Sequence, residues 1–121
     1  MMIQDIIGIN VYTDNLEELM LFYRDIIGIQ LRSSHDSAVV FELRPGMRLN
    51  IGRHTNVQGP SKDPFRIMIN FETSDIHSSY TELNARGAHF IRRPEKESWG
   101  GWVATLQDPD GNTLQLLQTT N

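Results

Sequence analysis

The stretch Asp108-Pro109-Asp110-Gly111-Asn112-Thr113-Leu114-Gln115-Leu116 decides the fold when it is set beside a repeat sixty residues apart. Pro109-Asp110-Gly111 reads as a tight turn, because proline presets φ and glycine takes the positive φ that other residues resist. Thr113 to Leu117 then reads as a strand, so the segment is a hairpin late in the chain.

The repeat is read outward from there. From Asn15, the apolar residues Leu16, Leu19, Met20, Tyr23, Ile26 and Ile27 recur at i, i+3, i+4 and i+7, one stripe of a helix that Gly28 stops. Sixty residues later Ile76, Ser79, Tyr80 and Leu83 repeat the spacing, with Asp75 or Ser74 able to cap the start and Gly87 as the stop. A strand-like segment precedes each helix, Ile7 to Thr13 and Ile67 to Thr73, so that Asn10 lies over Asn70 and Thr13 over Thr73. Three strand-like segments follow each helix. The first set is Ile29–Arg32, Ser37–Leu43 and Met47–Gly52, with Pro45-Gly46 as a turn; the second is Ala88–Arg92, Trp102–Gln107 and Thr113–Gln118. The expected fold class is therefore α+β, two tandem βαβββ modules. Module one spans 1–52 and module two 65–121. The Gly- and Pro-containing connector 53–64 joins them within a single domain, 1–121, because neither half is large enough to fold alone.

Composition bounds the function. A hydrophobic fraction of 39% and a charged fraction of 21% are those of an ordinary globular chain. The net charge of −4, without a Lys/Arg run, argues against nucleic acid as a partner. Zero cysteines exclude disulfides, thiolate metal sites and thiol catalysis. No charged-then-apolar leader follows Met1, and no apolar run approaches the ~20 residues that span a bilayer, so no membrane partner and a cytoplasmic location are expected.

Thr13-Asp14-Asn15-Leu16 with Phe22-Tyr23-Arg24-Asp25-Ile26-Ile27-Gly28, then Gly100-Gly101 and Asp108-Pro109-Asp110-Gly111-Asn112, resemble the vicinal oxygen chelate superfamily in order and spacing. That superfamily includes glyoxalase I, extradiol dioxygenases, fosfomycin-resistance enzymes and bleomycin-resistance proteins. The resemblance covers nearly the whole chain. It implies mixed sheets that curl around a shared cavity with the helices outside, and a homodimer in many relatives. On that frame, strand alternation sends Ile9, Val11 and Thr13 under the first helix and Gly8, Asn10 and Tyr12 into the cavity. In the second module Ile69, Phe71 and Thr73 lie under the helix, leaving Met68, Asn70 and Glu72 in the cavity.

Metal-using members of that superfamily carry His or Glu at four strand positions, since divalent ions need imidazole or carboxylate donors. Carried over by spacing, these positions are Gly8, Asn50, Met68 and Gln115. Glycine offers no donor, methionine suits hard ions poorly, and neutral amides bind weakly without a carboxylate. One-residue slips give Ile7, Leu49 or Ile51, Ile67 or Ile69, and Leu114 or Leu116, which are no better. His35, His54, His77 and His89 show no metal-ligand spacing, and nothing in the spacing calls for a set such as His35, His54 and Glu42. No metal and no cofactor are therefore expected.

Ser98-Trp99-Gly100-Gly101-Trp102 places two large flat rings beside a flexible backbone. Such rings suit a planar ligand or a cation, the latter worth about 0.5–2 kcal/mol. Alternatively Trp102 belongs to the core, if it points inward with Ala104 and Leu106. Glu72 is the one carboxylate that alternation sends into the cavity; if buried it is a candidate general base, otherwise a partner for a cationic ligand or a solvated strand residue. Tyr12 is its counterpart on the first strand. The preferred reading is a metal-free small-molecule-binding protein, similar in kind to bleomycin-resistance proteins, that sequesters an aromatic or cationic drug or metabolite. Its ligand-binding residues would be Asn10, Tyr12, Asn50, Met68, Asn70, Glu72, Trp99, Trp102 and Gln115. The alternative is a lyase, isomerase or dioxygenase of the same superfamily that uses an unpredicted metal site, or Glu72 and Tyr12 as acid and base.

Overall fold

Alternating apolar residues on the strands and a helical stripe between them build the same unit twice. The computed structural model describes residues 2–120. In the first unit β1 (Gly8–Tyr12) leads into α1 (Leu16–Leu21), which continues as a π-helical segment at Phe22–Ile27. The strands β2 (Gln30–Ser34), β3 (Ala38–Arg44) and β4 (Met47–Gly52) follow. The sheet order is β1-β4-β3-β2, with β1 parallel to β4 and the other pairs antiparallel. Val39, Phe41, Leu49 and Ile51 alternate onto the covered face and are buried with Leu16, Leu19, Phe22 and Tyr23.

The second unit repeats the plan with β5 (Ile69–Glu72), α2 (Ile76–Ala85), β6 (His89–Lys96), β7 (Trp102–Gln107) and β8 (Thr113–Gln118). Its order is β5-β8-β7-β6, again with one parallel pair, β5 with β8. Its core holds Ile76, Leu83, Ala88, Val103, Ala104, Leu106, Leu114 and Leu116. The turn between β7 and β8 closes as its sequence demands. Gly111 takes φ 84°, and the buried Asp108 accepts from the N–H groups of Asp110 and Asn112 at Oδ1, each at 2.9 Å. Packing separates the chain between Gly59 and Pro60, inside the 53–64 connector.

The architecture is α+β, two four-stranded mixed sheets each with its helix, as the repeat implies. Strands β4, β7 and β8 have the expected bounds. β6 runs to Lys96 rather than Arg92 because it is an edge strand, where register shifts at Phe90/Arg92 and Arg92/Glu95 accommodate Pro94. The first helix departs from its stripe: Phe22 is as buried as its neighbour Tyr23. Phe22, outside the stripe, stands where the π-helical segment begins, and its wider turn breaks the 3.6-residue period from which the stripe is read. Gly28 ends the segment at φ 86°, its N–H donating to Tyr23 O at 3.1 Å.

Candidate functional site

Each unit leaves the sheet face opposite its helix uncovered by that helix. In the first unit alternation along β1 places Gly8, Asn10 and Tyr12 there, exposed, while Ile9 and Val11 turn inward. The cross-strand partner of Asn10 is Asn50, whose Nδ2 donates to Asn10 Oδ1 at 2.9 Å. This bond leaves the Asn10 amide as a donor and the Asn50 oxygen as an acceptor, a complementary pair for a polar ligand. The Tyr12 ring packs edge-on against His54 with centroids 5.1 Å apart.

In the second unit the matching face carries Asn70 opposite Gln115, and Gln115 opposite Thr105. Gln115 Nε2 reaches Thr105 Oγ1 at 3.4 Å. Arg92 extends this row as the partner of Thr105. Its guanidinium donates to Glu95 at 2.6 Å and Glu97 at 2.6 Å, and these bonds raise its already high pKa, keeping the charge in place. Met68 stands one residue before β5 and is part-exposed. Glu72 is exposed at the end of β5 and forms no ion pair among the described residues, so the burial that an acid–base role calls for is not found within its own unit. Thr105 and Arg92 were not among the sequence candidates. The signal for Thr105 was available, because parity with Ala104 and Leu106 sends it to the other face.

The two tryptophans part company. Trp99 is 51% exposed, and its ring lies directly over Gly101, where any Cβ would collide with it. Trp102 stands apart from Asn70, Glu72 and Gln115, which corrects its expected place among them. It pairs with Gln118 on the helix side of the sheet, its ring 4.7 Å from that of His77 on α2. Gln118 itself accepts from the Ile76 N–H at 2.8 Å. Trp102 thus follows Ala104 and Leu106, the alternative that places it with the core.

The four strand positions that the resemblance assigns to metal ligands do not fit a metal. Gly8 pairs with Arg48, and a Cβ on it would stand 3.8 Å from the Asn50 amide; Gln115 pairs with Asn70, so these positions offer amides and no carboxylate or imidazole. Among the described residues no group of three or more His, Asp or Glu side chains stands together in a way that could hold an ion. Glu42, considered with His35 and His54, is instead bonded to Arg32. No helix is long and apolar enough to cross a membrane among the described residues.

Comparison with known proteins follows the same lines. The solved structure of TnmS3, an antibiotic binding protein from Streptomyces sp. CB03234, superposes with a TM-score of 0.82 at 21% identity, covering 99% of each chain. A glyoxalase/bleomycin resistance protein/dioxygenase from Nocardioides gives 0.79 at 25% identity, over 95% of this chain and 83% of that one. A lactoylglutathione lyase from Agrobacterium tumefaciens gives 0.75 at 17% identity, over 94% and 92%. No curated protein matches the sequence significantly. The tandem units, the closing Asp-Pro-Asp-Gly turn and a family profile matching residues 6–116 agree, and the chain belongs to the Glyoxalase/Bleomycin resistance protein/Dioxygenase superfamily.

Proposed function

We propose that this chain is a metal-free small-molecule-binding protein that sequesters an aromatic or cationic drug or metabolite, acting in the cytoplasm as a homodimer. The observation that carries this reading is the chemistry of the two open sheet faces. Where metal-using relatives need imidazole or carboxylate, these faces hold Gly8, Asn50, Met68 and Gln115. Binding would then rest on enclosure: Asn10, Asn50, Asn70 and Gln115 hydrogen-bond the ligand, Trp99 offers a half-exposed ring for stacking, and Glu72 supplies an unpaired negative charge. The likeness to an antibiotic binding protein supports sequestration as the mode of action. The exposed apolar residues before the first strand of each unit, Ile3, Ile6 and Ile7 in one and Phe65 and Ile67 in the other, support a second copy as partner, since so much apolar surface is costly in water.

The test has two parts. Purified protein is incubated with Ni, Zn, Mn and Fe(II) salts, desalted and analysed by elemental mass spectrometry; near-stoichiometric metal would overturn the reading. Tryptophan fluorescence is then titrated with planar cationic compounds, for which saturable quenching is expected in the wild type and weaker quenching after Glu72→Gln.

A second reading, a metal-free lyase or isomerase, is favoured by one observation, the unpaired carboxylate of Glu72 on an amide-rich face. Glu72→Gln separates the two, because turnover would collapse whereas binding of a neutral ligand would hardly change.

A further inference from the structure

The first unit carries a concavity that uses none of the residues assigned above. It lies where β1 and β4, paired in parallel, end side by side: Thr13 and Asp14 follow β1, Arg53 and His54 follow β4, and Thr55, Val57 and Gln58 come from the connector. The space is about 560 Å³, open to solvent and of the size that small-molecule sites occupy.

Its wall is fixed by hydrogen bonds. The Thr13 N–H donates to Gly52 O at 2.8 Å, tying the strand ends together. The Gly59 N–H donates to Asp14 Oδ2 at 2.8 Å, folding the connector back onto β1. The Asn56 N–H donates to His54 Nδ1 at 3.1 Å, which leaves Nε2 as the ring's donor, and the Tyr12 ring steadies it from the side. Arg53 gives one N–H to Asp36 O at 3.2 Å and forms no ion pair among the described residues. The remaining guanidinium N–H groups are available as donors.

We propose that this concavity binds a small carboxylate that carries a hydroxyl or ammonium donor beside its carboxyl group. Arg53 and the His54 Nε2–H supply donors for the two carboxylate oxygens, and a guanidinium matches that planar fork. Asp14 has Oδ1 left over and accepts from the neighbouring hydroxyl or ammonium. Val57 covers the apolar remainder of the ligand. A phosphate fits worse, since it brings further negative charge against the Asp14 carboxylate and no apolar remainder for Val57 to cover. The lining shares no residue with the open sheet faces, although the Tyr12 ring on the first of them adjoins His54.

The intact chain, labelled with ¹⁵N, is titrated separately with L-lactate, L-alanine, propionate and inorganic phosphate. In a site this open the affinity is expected in the millimolar range. Saturable shifts of the Thr55, Gln58 and Gly59 amides are expected with lactate or alanine, with propionate weaker by about tenfold. Arg53→Gln should abolish the shifts. Asp14→Asn, which keeps an oxygen for the Gly59 N–H, should lower lactate to the level of propionate while the rest of the spectrum is unchanged. No saturable shift with lactate or alanine, phosphate binding as tightly as lactate, or undiminished binding by the Arg53→Gln protein would each overturn the proposal.

Discussion

In the first unit three aromatic rings, Phe22, Tyr23 and Phe41, are buried between helix and sheet. In the second the rings of Tyr80, Phe90 and Trp102 are only half-buried, and Ala88 and Ala104 occupy core positions. The second unit compensates with polar closure. Its Asp75 side chain caps α2, the hydroxyls of Thr73 and Ser79 are bonded at 2.7 Å, and Asp108 gathers its turn. One topology is therefore stabilised in two ways, by ring volume and by hydrogen bonds at turns and helix ends. The open faces are less affected by this difference, because they keep Asn10 and Asn70 in equivalent places.

The largest effect should come from the ring core. Phe41 is fully buried and its ring centroid lies 6.5 Å from that of Tyr23. Phe41→Ala is expected to cost about 3–5 kcal/mol in urea-induced unfolding, through lost transfer energy and the cavity left behind. Phe90→Ala removes the same ring from a half-buried position and should cost less than half of that. Equal losses would break the contrast between the units.

Polar closure in the second unit is tested at Asp108. Besides its two backbone donors, its Oδ2 accepts from Asn112 Nδ2 at 2.9 Å. Asp108→Ala strands those donors in a site 5% exposed and should cost about 2–4 kcal/mol. The corresponding turn of the first unit, Pro45-Gly46, is exposed and needs no such side chain, so Pro45→Ala should be nearly silent in the same assay.

Two glycines sharpen the contrast further. A Cβ on Gly101 would strike the Trp99 ring and stand 2.7 Å from Gln118 O, whereas on Gly52 it would meet only ordinary neighbours at 3.4–3.6 Å. Gly101→Ala should displace Trp99, shift its fluorescence to longer wavelength and cost about 1–3 kcal/mol. Gly52→Ala should change stability by less than about 1 kcal/mol and leave the fluorescence unaltered.

Much of this was legible because local physics carries it. Thr13 and Thr73 recur at the sixty-residue offset for a reason the structure supplies: their hydroxyls accept from the N–H groups of Asn15 at 2.9 Å and Asp75 at 3.3 Å, shaping each strand-to-helix turn. The faces of β1 and β5 followed from alternation alone. The π turn at Phe22 was not legible, since an extra residue in a helical turn leaves no mark on a 3.6-residue stripe. Trp102 was half-legible: parity with Ala104 pointed inward, but the adjoining Gly100-Gly101 read as open backbone. The Arg53–His54 concavity was invisible, because only the parallel pairing of β1 with β4 brings residues 13–14 beside residues 53–58.

The helix starts give the smallest effect and the finest test. Asp75 accepts from the Ser78 N–H at 3.2 Å and from its hydroxyl at 2.8 Å. The hydroxyl bond first, and the backbone bond second, hold the carboxyl below its ordinary value. Asn15 makes no such cap; its amide turns to Glu18 instead. Asp75→Ala should therefore lower Tm by a few degrees, and Asn15→Ala should barely move it. The pH dependence follows from the sign of the shift. A carboxyl whose pKa is depressed on folding stabilises the native state above its unfolded value, about 3.9, and loses that contribution as pH falls through the lower folded value. The Tm difference between wild type and Asp75→Ala should thus be full at neutral pH and shrink below about pH 4. For Asn15→Ala it should stay flat, because an amide has no proton to exchange in that range. A pH-independent gap at Asp75 would mean that the cap acts through shape alone, and the two helix starts would then differ less than their hydrogen bonds indicate.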